Sequence, residues 1–219
     1  MKIVARILKI LCYTLIFGVI AFLIGRIIIA DYYPKDMKAL YKTEAMRAYA
    51  AAGGSIEIRS QDLRASYDNP DFAYFMANHQ YYCPETGELQ ITIRYNVNTL
   101  EELQRDYGLE ETPDDVLALF SFSLVGSHIA DDDGNRLEEG IAPSSVETER
   151  HFMYRYVRLT FSGVSFGEEV GWYRVEISYT GEGEPISKEA KKRWPAMIAV
   201  WEREMIPYDK ITVLSAKDF

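Results

Sequence analysis

The chain has 219 residues, enough for one well-packed domain and a membrane segment but short for two domains. Hydrophobic residues make up 48% and charged residues 26%, which excludes a disordered chain, and 16 tyrosines beside many Val, Ile and Thr favour β structure. Residues 31–219 carry 20 basic against 33 acidic groups, a net charge of −13 that excludes nucleic acid as an expected partner.

Ile10 to Ala30 is apolar apart from Arg26. As a helix it rises about 31 Å, enough to cross the hydrocarbon core of a bilayer. Arg26 lies about one turn from the far end, within snorkelling reach of headgroups, and Tyr32 and Tyr33 follow where an interfacial aromatic belt belongs. A cleaved signal peptide is the competing reading, with Lys2, Arg6 and Lys9 as its n-region and Ala30 at the cleavage position. Ile28 is large for that site and the apolar run is long, so residues 1–9 read as a short cytoplasmic tail and 10–30 as an uncleaved transmembrane helix. Lys35, Lys38, Lys42 and Arg47 nearly balance the basic tail; the secretion-like start and the aromatic pair favour a C-terminal domain outside the cytoplasm. The expected location is therefore the cell membrane, single-pass, with the lipid bilayer as first partner.

Thr14, Gly18, Ala21 and Gly25 share one face of this helix, a stripe of small residues that suits a membrane partner or a homodimer. Cys12 lies in the apolar run and Cys83 outside it, so no disulfide framework is expected. Pro34 and Gly53-Gly54 bracket an apolar stripe from Met37 to Ala52, which predicts a juxtamembrane stalk helix over 34–52.

Residues 55–219 then read as one extracytoplasmic domain. Ile56 and Ile58 alternate, and in ELQITIRYNV the residues Leu89, Ile91, Ile93, Tyr95 and Val97 face one way. Thr99 and Glu102 form a capping box for a short helix ending at Gly108. Phe120, Phe122 and Leu124 point inward from the next strand. HFMYRYVRLTF, with Val157, Leu159 and Phe161 on its core face, and WYRVEISY, with Tyr173, Val175, Ile177 and Tyr179 on its core face, follow as a predicted hairpin, pairing Leu159 with Val175 and Arg158 with Glu176. PAMIAVW and DKITVL supply two more strands, with SKEAKKRW as a short helix or basic loop between them. Seven or eight short strands without long crossover helices predict a mainly β fold. The expected architecture is an N-terminal transmembrane helix and stalk helix, then an antiparallel Ig-like β-sandwich with short inserted helices.

Four patterns invite a chemical reading. Gly163, Ser165 and Gly167 match G-x-S-x-G, the nucleophile elbow of α/β-hydrolases. That motif needs a following helix and a later histidine, whereas His79, His128 and His151 all precede Ser165 and a strand follows it. A surface hydrolase using Ser165 is thus the alternative to a binding module, and the loop reads as a turn. Asp131 to Asn135 resembles a calcium loop, but Arg136 and Ala142 occupy positions that need Gly and Glu. His79 and Cys83 lack the further ligands of a zinc site, and Lys191, Lys192, Arg193 and Trp194 form a short basic run that is usually just solvated. No catalytic residue, metal site or cofactor is expected. Phe152, Tyr154, Tyr156 and Arg158 alternate on the presumed outward face of their strand and, with Trp172 and Arg174 across the predicted hairpin, form a candidate partner surface unless a helix covers it. The expected function is a bitopic, membrane-anchored protein whose β-sandwich acts as an interaction module of the cell envelope.

Overall fold

The computed structural model of the protein describes residues 2–31, 33–62, 75–112, 119–128, 140–165, 170–193, 196–202 and 210–219. Two compact units divide the chain, 1–35 and 36–219. The first consists of α1 (Lys2–Asp31). Its segment Arg6–Ile28 is 23 residues long, apolar and unburied by protein, so it is long and apolar enough to cross a membrane.

A helical strap opens the second unit. The single helix expected over 34–52 is instead two short ones, α2 (Lys35–Lys38) and α3 (Glu44–Ala51). The break has a local cause. Thr43 is extended and its hydroxyl accepts from the amide of Met46 at 3.2 Å, a helix N-cap, while Tyr41 before it spends its backbone amide and carbonyl on a side chain of the sheet below.

The sheets are built from β1 (Ile56–Asp62), β2 (Phe75–Cys83), β3 (Glu88–Asn96), β4 (Phe120–His128), β5 (Ser145–His151), β6 (Tyr154–Ser162), β7 (Val170–Tyr179), β8 (Ala196–Glu202) and β9 (Lys210–Leu214). They form a six-stranded sheet, β5-β6-β3-β2-β1-β9, and a three-stranded one, β4-β7-β8, with antiparallel pairing throughout. Alternation along the strands delivers Leu89, Ile91, Ile93, Val157, Leu159 and Phe161 from the larger sheet into one core. Phe120, Phe122, Leu124, Tyr173, Val175 and Ile177 enter it from the smaller. The fold is therefore mixed helix and sheet, with two antiparallel sheets sharing a core.

The predicted hairpin between 151–161 and 172–179 is not formed. Leu159 pairs with Ile91 and Val146, and Val175 with Leu124 and Ile198, so β6 and β7 belong to different sheets. Arg158 stands opposite Glu147 of β5 instead of Glu176. Just after β6, Gly163 takes a φ of 78°, and the amide of Val164 donates to Gly87 O at 2.8 Å.

The short helix after β3 is α4 (Val97–Tyr107). It begins two residues before the predicted capping box, because the side chain of Asn96 caps it by accepting from Asn98 N at 3.1 Å. Gly108 ends it as expected, with φ at 64°. Leu100 and Leu103 of α4 join the shared core. The basic segment near the C-terminus forms α5 (Lys188–Arg193), and a 3₁₀ turn, Ala216–Asp218, closes the described chain.

Candidate functional site

The outer face of the six-stranded sheet carries an unusual load of polar side chains, and the strap accounts for them. Glu88, Gln90, Thr92 and Arg158 are all buried. Thr92 donates to the carbonyl of Met37 at 2.9 Å, and Tyr81 donates to that of Lys38. The Gln90 amide accepts from Tyr41 N at 2.9 Å and donates to Tyr41 O at 2.7 Å, pairing with the strap as a backbone strand would. Thr43 donates to Glu88 at 2.8 Å.

Arg158 is the centre of this face, its side chain only 8% exposed. Its guanidinium donates to the carbonyls of Asp36 at 2.7 Å and Ala39 at 3.2 Å, pairs with Glu147, and lies 5.0 Å from the Tyr41 ring. A fixed fork of donors suits this work, since several backbone carbonyls are satisfied by one side chain. Further along, Met46 and Ala50 of α3 pack on Ile56, Ile58 and Cys83. Burial, with Glu88 and Glu85 adding to it, pushes the Cys83 thiol far above its ordinary range, so it is an inert packing group.

The candidate partner surface is thereby taken apart. Tyr156 and Arg158 are buried, Tyr154 is half-buried, and Trp172 and Arg174 stand on β7 in the other sheet, where Arg174 is exposed. These residues do not share one face. Thr14, Gly18, Ala21 and Gly25 do share a helix face; Gly18 and Gly25 have open space around them, and the Thr14 hydroxyl donates to Ile10 O at 3.0 Å.

The Ser165 motif has no elbow geometry. Ser165 is exposed, its carbonyl accepts from the Tyr173 hydroxyl at 3.0 Å, and the next described element is the strand β7 at Val170. The Tyr173 phenol is raised by burial, and that hydrogen bond opposes the rise only in part. Along β2, His79 and Cys83 are four residues apart, about 13 Å in an extended strand, too far to hold one ion. Among the described residues no group of three or more His, Cys, Asp or Glu side chains is placed to hold a metal. The Asp131–Asn135 loop and Trp194 lie outside the described residues. Lys191 is exposed and pairs with Glu184 at 2.7 Å.

Sequence reasoning missed one surface and misplaced part of another. The first is β9, an edge of the six-stranded sheet, where Ile211 and Val213 are 57% and 62% exposed beside Arg59 and Glu57 of β1. The edge at the other end, β5, carries Glu147, Glu149 and Arg150, the charges that commonly guard an edge. The edge of β4 is bridged to Ile141 by two hydrogen bonds of 2.8 Å. Alternating Ile211 and Val213 were legible in DKITVL, but their place at an edge was not. The second is the turn between β5 and β6, where Met153 is exposed together with Phe152, which the alternation had put on the outward face of a strand and which lies instead at the turn.

No protein family, curated protein or solved structure matches the chain.

Proposed function

We propose that this is a single-pass membrane protein whose β-domain lies outside the cytoplasm and works as a binding module of the cell envelope, not as an enzyme. The apolar helix carries the reading: its 23-residue segment is long and apolar enough to cross a membrane, and a lipid core is the environment that such a surface needs. By analogy of architecture alone, the two-sheet domain serves as Ig-like modules do, offering sheet edges and turns to partners.

The surface that fits this role best is the β9 edge. Its outer backbone groups have no strand beside them among the described residues, and exposed Ile211 and Val213 add apolar contacts at alternate positions. That combination suits an extended segment of a partner polypeptide, added as a further strand with apolar side chains two residues apart. A photo-crosslinker at Val213, compared with one at Val146 on the guarded β5 edge, tests it in cells. A discrete protein adduct from position 213 alone is expected. Equal adducts from both positions, or none from either, would rule out the β9 edge; a 213–213 adduct would make the partner a second copy.

A further inference from the structure

The sheet edges whose side chains are described are not alike. β5 carries Glu147, Glu149 and Arg150, and β4 is bridged to Ile141 by two hydrogen bonds of 2.8 Å. β9 has neither device: among the described strands it pairs with β1 alone, and it offers exposed Ile211 and Val213. The turn that follows β9 leaves this edge open. Lys42 donates to Asp218 O and lies 5.3 Å from the Phe219 ring, and that ring packs with Leu40 and Leu214 on the cluster under α3. The C-terminal residues therefore turn onto the α3 face of the sheet.

Register assigns the faces. Ile56 and Ile58 pack under α3 and stand opposite Leu214 and Thr212, so all four share the α3 face. Glu57 pairs with Val213 and Arg59 with Ile211, which puts these four on the other face, where Glu57 and Arg59 form an ion pair beside the apolar residues.

This edge is complementary to itself. Set antiparallel to its own copy about a two-fold through Thr212, Ile211 falls opposite Val213 of the second copy, and Val213 opposite Ile211. Four exposed apolar side chains then meet on one face. Each row across the seam runs from Glu57 and Val213 to Ile211 and Arg59 of the second copy, acid at one end and base at the other. Outward-pointing backbone groups belong to alternate residues, and a two-fold at Thr212 matches them in either phase. Residues 31–219 are acidic in sum, but screening over about 8 Å in physiological salt leaves the balanced charges of the seam to decide the approach.

Closure favours a second copy over a lone segment. A segment added to β9 only carries the open edge outward by one strand, whereas two copies joined edge to edge bury both open edges at once. The product is a continuous sheet whose two ends are both β5, the charged edge.

We propose that the β9 edge is the seam of a homodimer, two chains pairing antiparallel through Lys210–Leu214 about Thr212. The inference rests on the reading of β9 as the binding edge and names its partner. A five-residue strand makes a small seam beside the roughly 800 Å² per partner of stable complexes. Pairing is therefore a membrane event, because two anchored chains in one bilayer meet at a local concentration that dilute solution does not supply.

The test uses the full chain in the membranes of expressing cells, in a Cys12→Ser background where Cys83 stays buried and unreactive. Copper-phenanthroline oxidation and non-reducing gels read disulfide dimers of single-cysteine variants. Thr212→Cys places the thiol opposite its own copy, with Cα atoms about 4.5–5.5 Å apart and within disulfide reach. Ile211→Cys and Val213→Cys each stand diagonal to their own copy, roughly 7–8 Å away and beyond that reach. We expect several-fold more dimer from Thr212→Cys than from Ile211→Cys, Val213→Cys or Val146→Cys on β5. Mixing Ile211→Cys with Val213→Cys should restore the dimer, and adding Val213→Lys, a change at an exposed position, to Thr212→Cys should cut it several-fold. Equal yields at 211, 212 and 213 would overturn the register. Yields from Thr212→Cys no higher than from Val146→Cys, with no recovery in the mixed pair, would overturn the homodimer. A photo-adduct of position 213 with another protein would in that case leave the β9 edge standing with a different partner. Absence of both the dimer and any adduct at 213 would refute the edge itself, which is a distinguishable result.

Discussion

Replacing Arg158 by methionine keeps much of the buried stem and removes the guanidinium that holds the strap. The shorter bond, to Asp36 O at 2.7 Å, comes from a charged donor and contributes about 2 kcal/mol. The 3.2 Å bond to Ala39 O and the Tyr41 stacking together add about 1 kcal/mol. The Glu147 side chain is 34% exposed and rehydrates once freed, so the ion pair adds little to the sum. The expected loss of about 3 kcal/mol corresponds to a melting temperature about 6–12 °C lower for a domain of this size. Glu147→Gln should cost under about 1 kcal/mol by the same reasoning. Thermal melts of the full chain in detergent, followed by near-UV circular dichroism, measure both variants. Hydrogen exchange adds a local reading, since the Tyr41 amide donates to Gln90 at 2.9 Å and should lose protection selectively. An Arg158→Met variant that melts within about 2 °C of the parent, or a Glu147→Gln variant that is equally damaging, would contradict this role for Arg158.

Three further outcomes follow from buried or turn residues. Cys83 should ignore a water-soluble thiol reagent until denaturant is added. Its folded pKa lies above the unfolded one, so its contribution to stability is complete below about pH 8.5 and falls as pH rises past that value. A Cys83→Ala variant that keeps the same alkaline decline would remove that explanation. Gln80 is fully buried and neither amide atom has a hydrogen-bond partner among the described residues, so Gln80→Met should stabilise the domain by about 1 kcal/mol or more in denaturant titration; a loss of that size would show that the amide serves an interaction. Ser165→Ala should change stability by less than about 0.5 kcal/mol, whereas Gly163→Ala should cost about 1 kcal/mol through its positive φ alone. Reversal of that order, or ester hydrolysis abolished by Ser165→Ala, would contradict the turn reading.

What the sequence disclosed and what it hid divide along a physical line. Period-two alternation placed Leu89, Ile91, Ile93, Val157, Leu159, Phe161, Val175 and Ile177 in the core, and all eight are buried there. Alternation reports only which side a residue faces. It reads the same whether β6 pairs with β7 or arches over to another sheet, so adjacency in the chain misled the pairing. β5 was hidden because an edge strand needs no apolar face, and β2 because a register shift between Ala77 and His79 interrupts its alternation. Gln90, Thr92 and Arg158 read as solvent-facing, yet the strap buries them by giving each a backbone partner. Thr43 before Glu44 was the local sign that the stalk helix would break. The surface proposed for function depends on position within the fold: Val213 is unremarkable until β9 is an edge.

An uncleaved anchor with the β-domain across the membrane can be tested directly. Alkaline phosphatase fused after Phe219 folds into active enzyme only outside the cytoplasm, and carbonate washing strips proteins that no helix holds in the bilayer. Phosphatase activity retained in carbonate-washed membranes is the predicted result. Activity released into the supernatant, or a full-length fusion without activity, would contradict it.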